Sequence, residues 1–155
     1  MNHTAWQKLG TEFLNWIQKR IGSEFSDFTE ECENLEILNH ATADFDPQES
    51  ASTTAYRCVL FTSKIVTVAN KFGEEEQYDS AKKFATWATL IEPDHFPAYL
   101  TLTGIAARTG DEIGKDACIA QMDRIFEKLS SIPKNNLSAF QKGALESINV
   151  FRNSL

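Results

Sequence analysis

The chain has 155 residues, 42% of them hydrophobic and 24% charged, the balance of an ordinary globular domain whose core does not need disulfides. Its 15 basic and 22 acidic side chains give a net charge of -7, a field that repels phosphate backbones and anionic headgroups and excludes nucleic acid and membrane surfaces as expected partners. Cys32, Cys58 and Cys118 are odd in number and widely spaced, so they read as reduced core thiols. With no signal pattern over Met1 to Gly10 and no apolar run that spans a bilayer, a cytoplasmic protein is expected.

In chain order, Trp6, Leu9, Phe13, Trp16, Ile17 and Ile21 recur mostly at three- and four-residue steps, which predicts a helix stopped at Gly22. A second helix starts at Ser26, a side chain able to cap it, and carries Phe28, Cys32, Leu35 and Leu38 before fading near Asn39. From Ala43 to Thr54 the turn-forming residues Asp44, Asp46, Pro47, Ser50 and Ser52 predict the longest loop. Ala55 to Phe72 is rich in β-branched residues, yet it runs for roughly eighteen positions without Gly or Pro, longer than a typical strand. It is therefore expected to be a helix buried on several sides, with Tyr56, Val59, Ile65, Ala69 and Phe72 on a broad stripe and Gly73 at its end. Glu74, Glu75 and Glu76 suit the positive N-terminal end of a following helix that reaches about Glu92 and is closed by Pro93.

Asp94 is the expected cap of the next helix, with Pro97 in its first turn, Tyr99, Leu102, Ile105 and Ala106 inward, and Gly110 at its end. Another starts near Asp111, carries Ala117, Ala120, Ile125 and Leu129, and stops before Pro133. Ser138 and Gln141 form a capping box leading into Phe140, Ala144, Ile148 and Phe151. The expected fold is all-α, antiparallel helical hairpins with about seven helices in a single domain. Residues 1–54 would form an N-terminal helical hairpin and acidic loop, 55–131 a repeat region, and 134–155 a C-terminal capping helix.

Within the repeat region, Tyr78, Ala81, Ala85, Ala88 and Pro93 present an aromatic, three small residues and a terminating proline. This pattern resembles the second helix of a tetratricopeptide repeat. Ile65, Val68, Ala69 and Phe72 resemble the first helix, and after a period of about 34 residues Tyr99, Leu102 and the Gly110-Asp111 turn begin a second unit. Thr103 stands where that family usually has a glycine-like residue, and Ala117 comes two positions late. The physical sense of the pattern is that alanines let paired helices approach closely, while the proline ends the second helix where the chain reverses.

The resemblance implies a TPR-like α-solenoid with a protein-binding groove lined by the first helix of each repeat. By analogy its groove positions are Ser63, Val66, Asn70, Leu100, Gly104 and Ala107. Apart from Asn70 they lack the Lys, Arg and Asn set with which family members clamp a terminal carboxylate, so the implied ligand is an apolar segment of another protein. The alternative is that these positions face the protein's own N-terminal helices. Size and acidity also resemble the small tetratricopeptide chaperones of type III secretion, so the expected function is a non-enzymatic adaptor or chaperone-like module.

Between Arg20 and Arg57 no basic residue occurs, and Glu30, Glu31, Glu33 and Glu36 head an acidic helix and loop. This is either a docking face for a basic partner or a solvated surface. Glu36 and His40 stand at i, i+4, the one pairing with ligand spacing, and carry the alternative of a small helical enzyme or metal-binding protein; two ligands do not complete a zinc site. No phosphate-binding glycine loop, serine elbow or cysteine–histidine nucleophile motif is present, so no cofactor, metal or catalysis is expected. A further alternative is a structural homodimer through Phe140, Ile148 and Phe151, and the tryptophans Trp6, Trp16 and Trp87 read as core anchors.

Overall fold

The computed structural model describes residues 51–154. The expected helices before Asn39, the loop up to residue 50, the acidic row Glu30, Glu31, Glu33 and Glu36, and the Glu36–His40 pair lie outside the described residues. Five α-helices follow in order: α1 (Ala51–Glu74), α2 (Tyr78–Ile91), α3 (Phe96–Thr109), α4 (Glu112–Ser130) and α5 (Ala139–Asn153), with one 3-10 turn at Lys134–Asn136. No strand occurs among the described residues, so the β-branched run Ile65-Val66-Thr67-Val68 is helical, as its length predicts. Two compact units divide the chain, Met1–His95 and Phe96–Leu155.

In the first unit α1 packs on α2. Phe61, Thr62, Ile65, Val66, Val68 and Ala69 of α1 are all buried. At 100° per residue they fill an arc of about 160°, wider than the stripe a helix needs for one neighbour. Ala81, Ala85 and Ala88 are fully buried on α2, where their small side chains permit close approach. Phe84 stacks on Phe72 with ring centroids 5.5 Å apart and meets Trp87 edge-on at 5.2 Å. Trp87 is 2% exposed and is a core anchor as expected, with the Lys83 ammonium 5.7 Å above its ring.

Three local expectations are corrected here. Helix α1 is already formed at Ala51, inside the stretch read as loop, and passes through Gly73 to Glu74. The chain turns instead at Glu76, which adopts the left-handed conformation (φ 60°) while Gln77 N–H donates to Phe72 O at 2.9 Å and Glu76 N–H to Gly73 O at 3.1 Å. The glutamates therefore crowd the C-terminal end of α1, and the first turn of α2 has Asp79 as its acidic residue.

In the second unit α3 packs on α4 and α4 on α5. Helix α3 starts at Phe96, one residue later than a cap at Asp94 requires, with Pro97 in its first turn as expected. It ends at Gly110 (φ 74°), whose conformation lets Asp111 N–H reach back to Ala106 O at 2.8 Å. Asp111 then caps α4, its carboxylate accepting from Gly114 N–H at 2.9 Å. Thr103 is buried, and its hydroxyl donates to Tyr99 O at 2.7 Å, which explains how a polar residue occupies a small-residue position.

The core of this unit joins Tyr99, Met122, Ile125, Leu129, Leu137, Ala144 and Ile148. Ala117 and Ala120 of α4 face outward, so the inner face of that helix is carried by Met122, Ile125 and Leu129. The 3-10 turn after Pro133 delivers Leu137 into the core, and the capping box then starts α5. Ser138 Oγ accepts from Gln141 N–H at 3.1 Å, while Ser138 N–H donates to Gln141 Oε1 at 2.9 Å. At the far end Arg152 bonds Asp123 at 3.2 Å and lies 4.4 Å over the Phe126 ring, fastening α5 to α4.

Candidate functional site

The six residues expected to line a groove fall in two rows, one in each unit. On α1, Ser63, Val66 and Asn70 recur at helical spacing. Ser63 is half-buried and donates its hydroxyl to Val59 O at 2.9 Å, so its polarity is spent within its own helix. Val66 is 5% exposed and belongs to the core, while Asn70 is exposed. This row offers a ligand little apolar surface.

The α3 row differs. Leu100, Gly104 and Ala107 stand at i, i+4 and i+7 and are all exposed, Leu100 at 40%. Ala98, Tyr99, Thr103, Ile105 and Ala106 anchor the opposite side of the helix, so the orientation of the row is fixed by burial. A methyl group added at Gly104 would meet no atom within 4 Å, so the helix backbone there is open beside Leu100. The row carries no charge, and Arg108 is the basic residue in the last turn of α3. Chemically it can bury an apolar side chain and little else.

Other features escaped the sequence reading. Ile113 is 86% exposed near the start of α4, and Val150 is 64% exposed on α5. Both sit at positions where periodicity alone assigns no direction, because α4 and α5 alternate apolar and polar residues around much of their circumference. Ile148, by contrast, is fully buried, so the face Phe140, Ile148 and Phe151 mixes one core residue with surface ones. Phe140 is 41% exposed and Phe151 is half-buried against the core.

His95, in the loop between α2 and α3, was legible in the sequence only as one of three scattered histidines. It is 2% exposed, and burial pushes its imidazole down from 6.5 to about 4. Its backbone N–H donates to Glu92 O at 3.0 Å. The side chain is thus neutral at pH 7 and part of the interior. Among the described residues no group of three or more His, Cys, Asp or Glu is placed to hold a metal ion, and no helix is long and apolar enough to cross a membrane. Cys118, half-buried on α4, takes part in no disulfide.

Comparison with protein-family models, with curated proteins and with solved structures found no match for this chain.

Proposed function

We propose that this chain is a non-enzymatic protein-binding module, adaptor or chaperone-like, that holds an apolar segment of a partner protein on the outward row of α3. The observation that carries the reading is the exposed, uncharged row Leu100, Gly104 and Ala107, set on a helix whose other side is locked into a core. Exposed apolar side chains at helical spacing beside an open glycine backbone match what an apolar helix or extended segment buries on docking. The tetratricopeptide-like pattern supports the same reading. Two short-turned helix pairs, α1 with α2 and α3 with α4, and the buried alanines of α2 are the kind of hairpin unit from which an α-solenoid of about seven helices would be built. A cytoplasmic setting and the chaperone-like role belong to this proposal.

The test is capture of partners from the native host's lysate on the wild-type chain and on Leu100→Asp. Leu100 is exposed enough for a carboxylate to remain solvated, so helicity stays unchanged. One stoichiometric protein partner bound by the wild type and lost from Leu100→Asp is the expected result. A partner retained by the folded variant removes the α3 row as the binding site.

A further inference from the structure

Helix α3 carries a single charge along its whole length, Arg108, in a chain of which 24% of the residues are charged. The helix dipole favours a cation in the last turn, but it does not account for the lack of any other charge on the exposed side. Arg108 stands beside the outward row. With Leu100 as origin and 100° per residue, Ala107 lies about 20° to one side, Gly104 about 40° to the other, and Arg108 about 80°, one turn beyond Gly104. Helical side chains lean toward the N-terminal end, so the arginine stem is directed back along the open backbone at Gly104.

The guanidinium is exposed and takes part in no ion pair among the described residues. Of the acidic residues that follow it, Asp111 spends its carboxylate on Gly114 N–H at 2.9 Å. The neighbouring Thr109 turns its hydroxyl inward to Ile105 O, also at 2.9 Å. The exposed side of α3 therefore offers a partner one charged donor, placed at one end of an uncharged row.

We propose that the segment held on the α3 row is apolar and carries a single carboxylate, which Arg108 binds while Leu100 is covered; this rests on the protein-binding reading of that row. The planar guanidinium matches a carboxylate with two parallel N–H donors, and the apolar contact beside it excludes the water that would screen the pair. Leu100 and Arg108 are about 12 Å apart along the helix axis, and the backward lean of the arginine shortens that span to as little as about 6 Å. A carboxylate about four to eight residues from the apolar anchor on a helical partner, or about two to four on an extended one, meets both. A basic residue at that place would set like charges in contact and is rejected. The net charge of -7 sets the opposite limit, because an acid-rich tract is repelled by the chain as a whole.

The test is selection from a displayed library of random peptides about twelve residues long, enough to cover the row as a helix, on the full wild-type chain, Arg108→Glu and Leu100→Asp. Circular dichroism of the three proteins should be the same. The wild type should enrich peptides that join a cluster of Leu, Ile, Val or Phe to one Asp or Glu, and Arg108→Glu should enrich the same cluster with Lys or Arg instead. For a selected peptide, changing its acidic residue to lysine should weaken binding to the wild type about tenfold by fluorescence anisotropy and strengthen binding to Arg108→Glu. Apolar peptides with no preference for charge, or a preference that Arg108→Glu leaves unchanged, overturn this inference and leave the row as a binding site. Peptides that bind Leu100→Asp as well as the wild type, or no enrichment at all, overturn the row itself and this inference with it.

Discussion

Acidification should destabilise the fold through His95 before it acts on most carboxylates. The imidazole is neutral in the folded chain down to about pH 4, whereas in the unfolded chain it takes a proton near pH 6.5. A buried histidine with a lowered folded value contributes stability that is complete above pH 6.5 and is lost as pH falls from 6.5 through about 4. Between those limits the unfolded chain binds one more proton than the folded chain, so unfolding free energy falls by about 1.4 kcal/mol per pH unit. The whole window is worth about 3 kcal/mol, a large share of the roughly 5–15 kcal/mol that separates folded from unfolded domains. Urea unfolding at pH 7.0, 6.0, 5.5, 5.0 and 4.5, read by far-ultraviolet circular dichroism, measures it. His95→Gln, which cannot titrate, supplies the reference because carboxylate titration is common to both proteins. The wild-type curve should fall more steeply than the variant's by about 1.4 kcal/mol per pH unit between pH 6 and 5. Parallel curves would refute the assignment of a buried neutral imidazole.

Glu76→Gly should stabilise the chain by about 1 kcal/mol, because removing the side chain from a left-handed residue gains more than the added freedom of the unfolded chain costs. Gly110→Ala imposes the reverse change on the equivalent turn and should cost about 1 kcal/mol; melting temperatures shifted in opposite directions by about 2–4 °C would record the pair. Ile125→Ala, at a fully buried position in the second core, should cost about 2–5 kcal/mol in denaturant unfolding, and a loss under 1 kcal/mol would contradict its central place.

Helix identity was legible because the periodic segments are long. The β-branched run in α1 read as helix from its length, and the capping box at Ser138 needed nothing beyond sequence-local chemistry. Boundaries were legible only where a residue's backbone preference and its position agreed. Gly110 marked its turn correctly, but Gly73 drew the eye from Glu76, since no sequence rule anticipates a glutamate forced into the left-handed conformation by the packing of α1 on α2. The candidate site divided in the same way. Spacing identified Leu100, Gly104 and Ala107 as one row, yet nothing in the spacing distinguishes that exposed row from Val66, whose arc of α1 is buried. The direction in which an amphipathic stripe points depends on neighbours far along the chain. For the same reason the burial of His95 had no signal in its surroundings Pro93-Asp94-His95-Phe96.

Asp111 closes one helix with its backbone N–H and opens the next with its carboxylate. The α3–α4 joint has two non-helical residues, Gly110 and Asp111, and both lie within the turn that these two bonds close. Rotating Asp111 to swing the helices apart would release the bond to Ala106 and the bond to Gly114 together. The pair consequently moves as one lever, and its amides should open to hydrogen exchange as a single event, with α3 and α4 sharing one opening free energy.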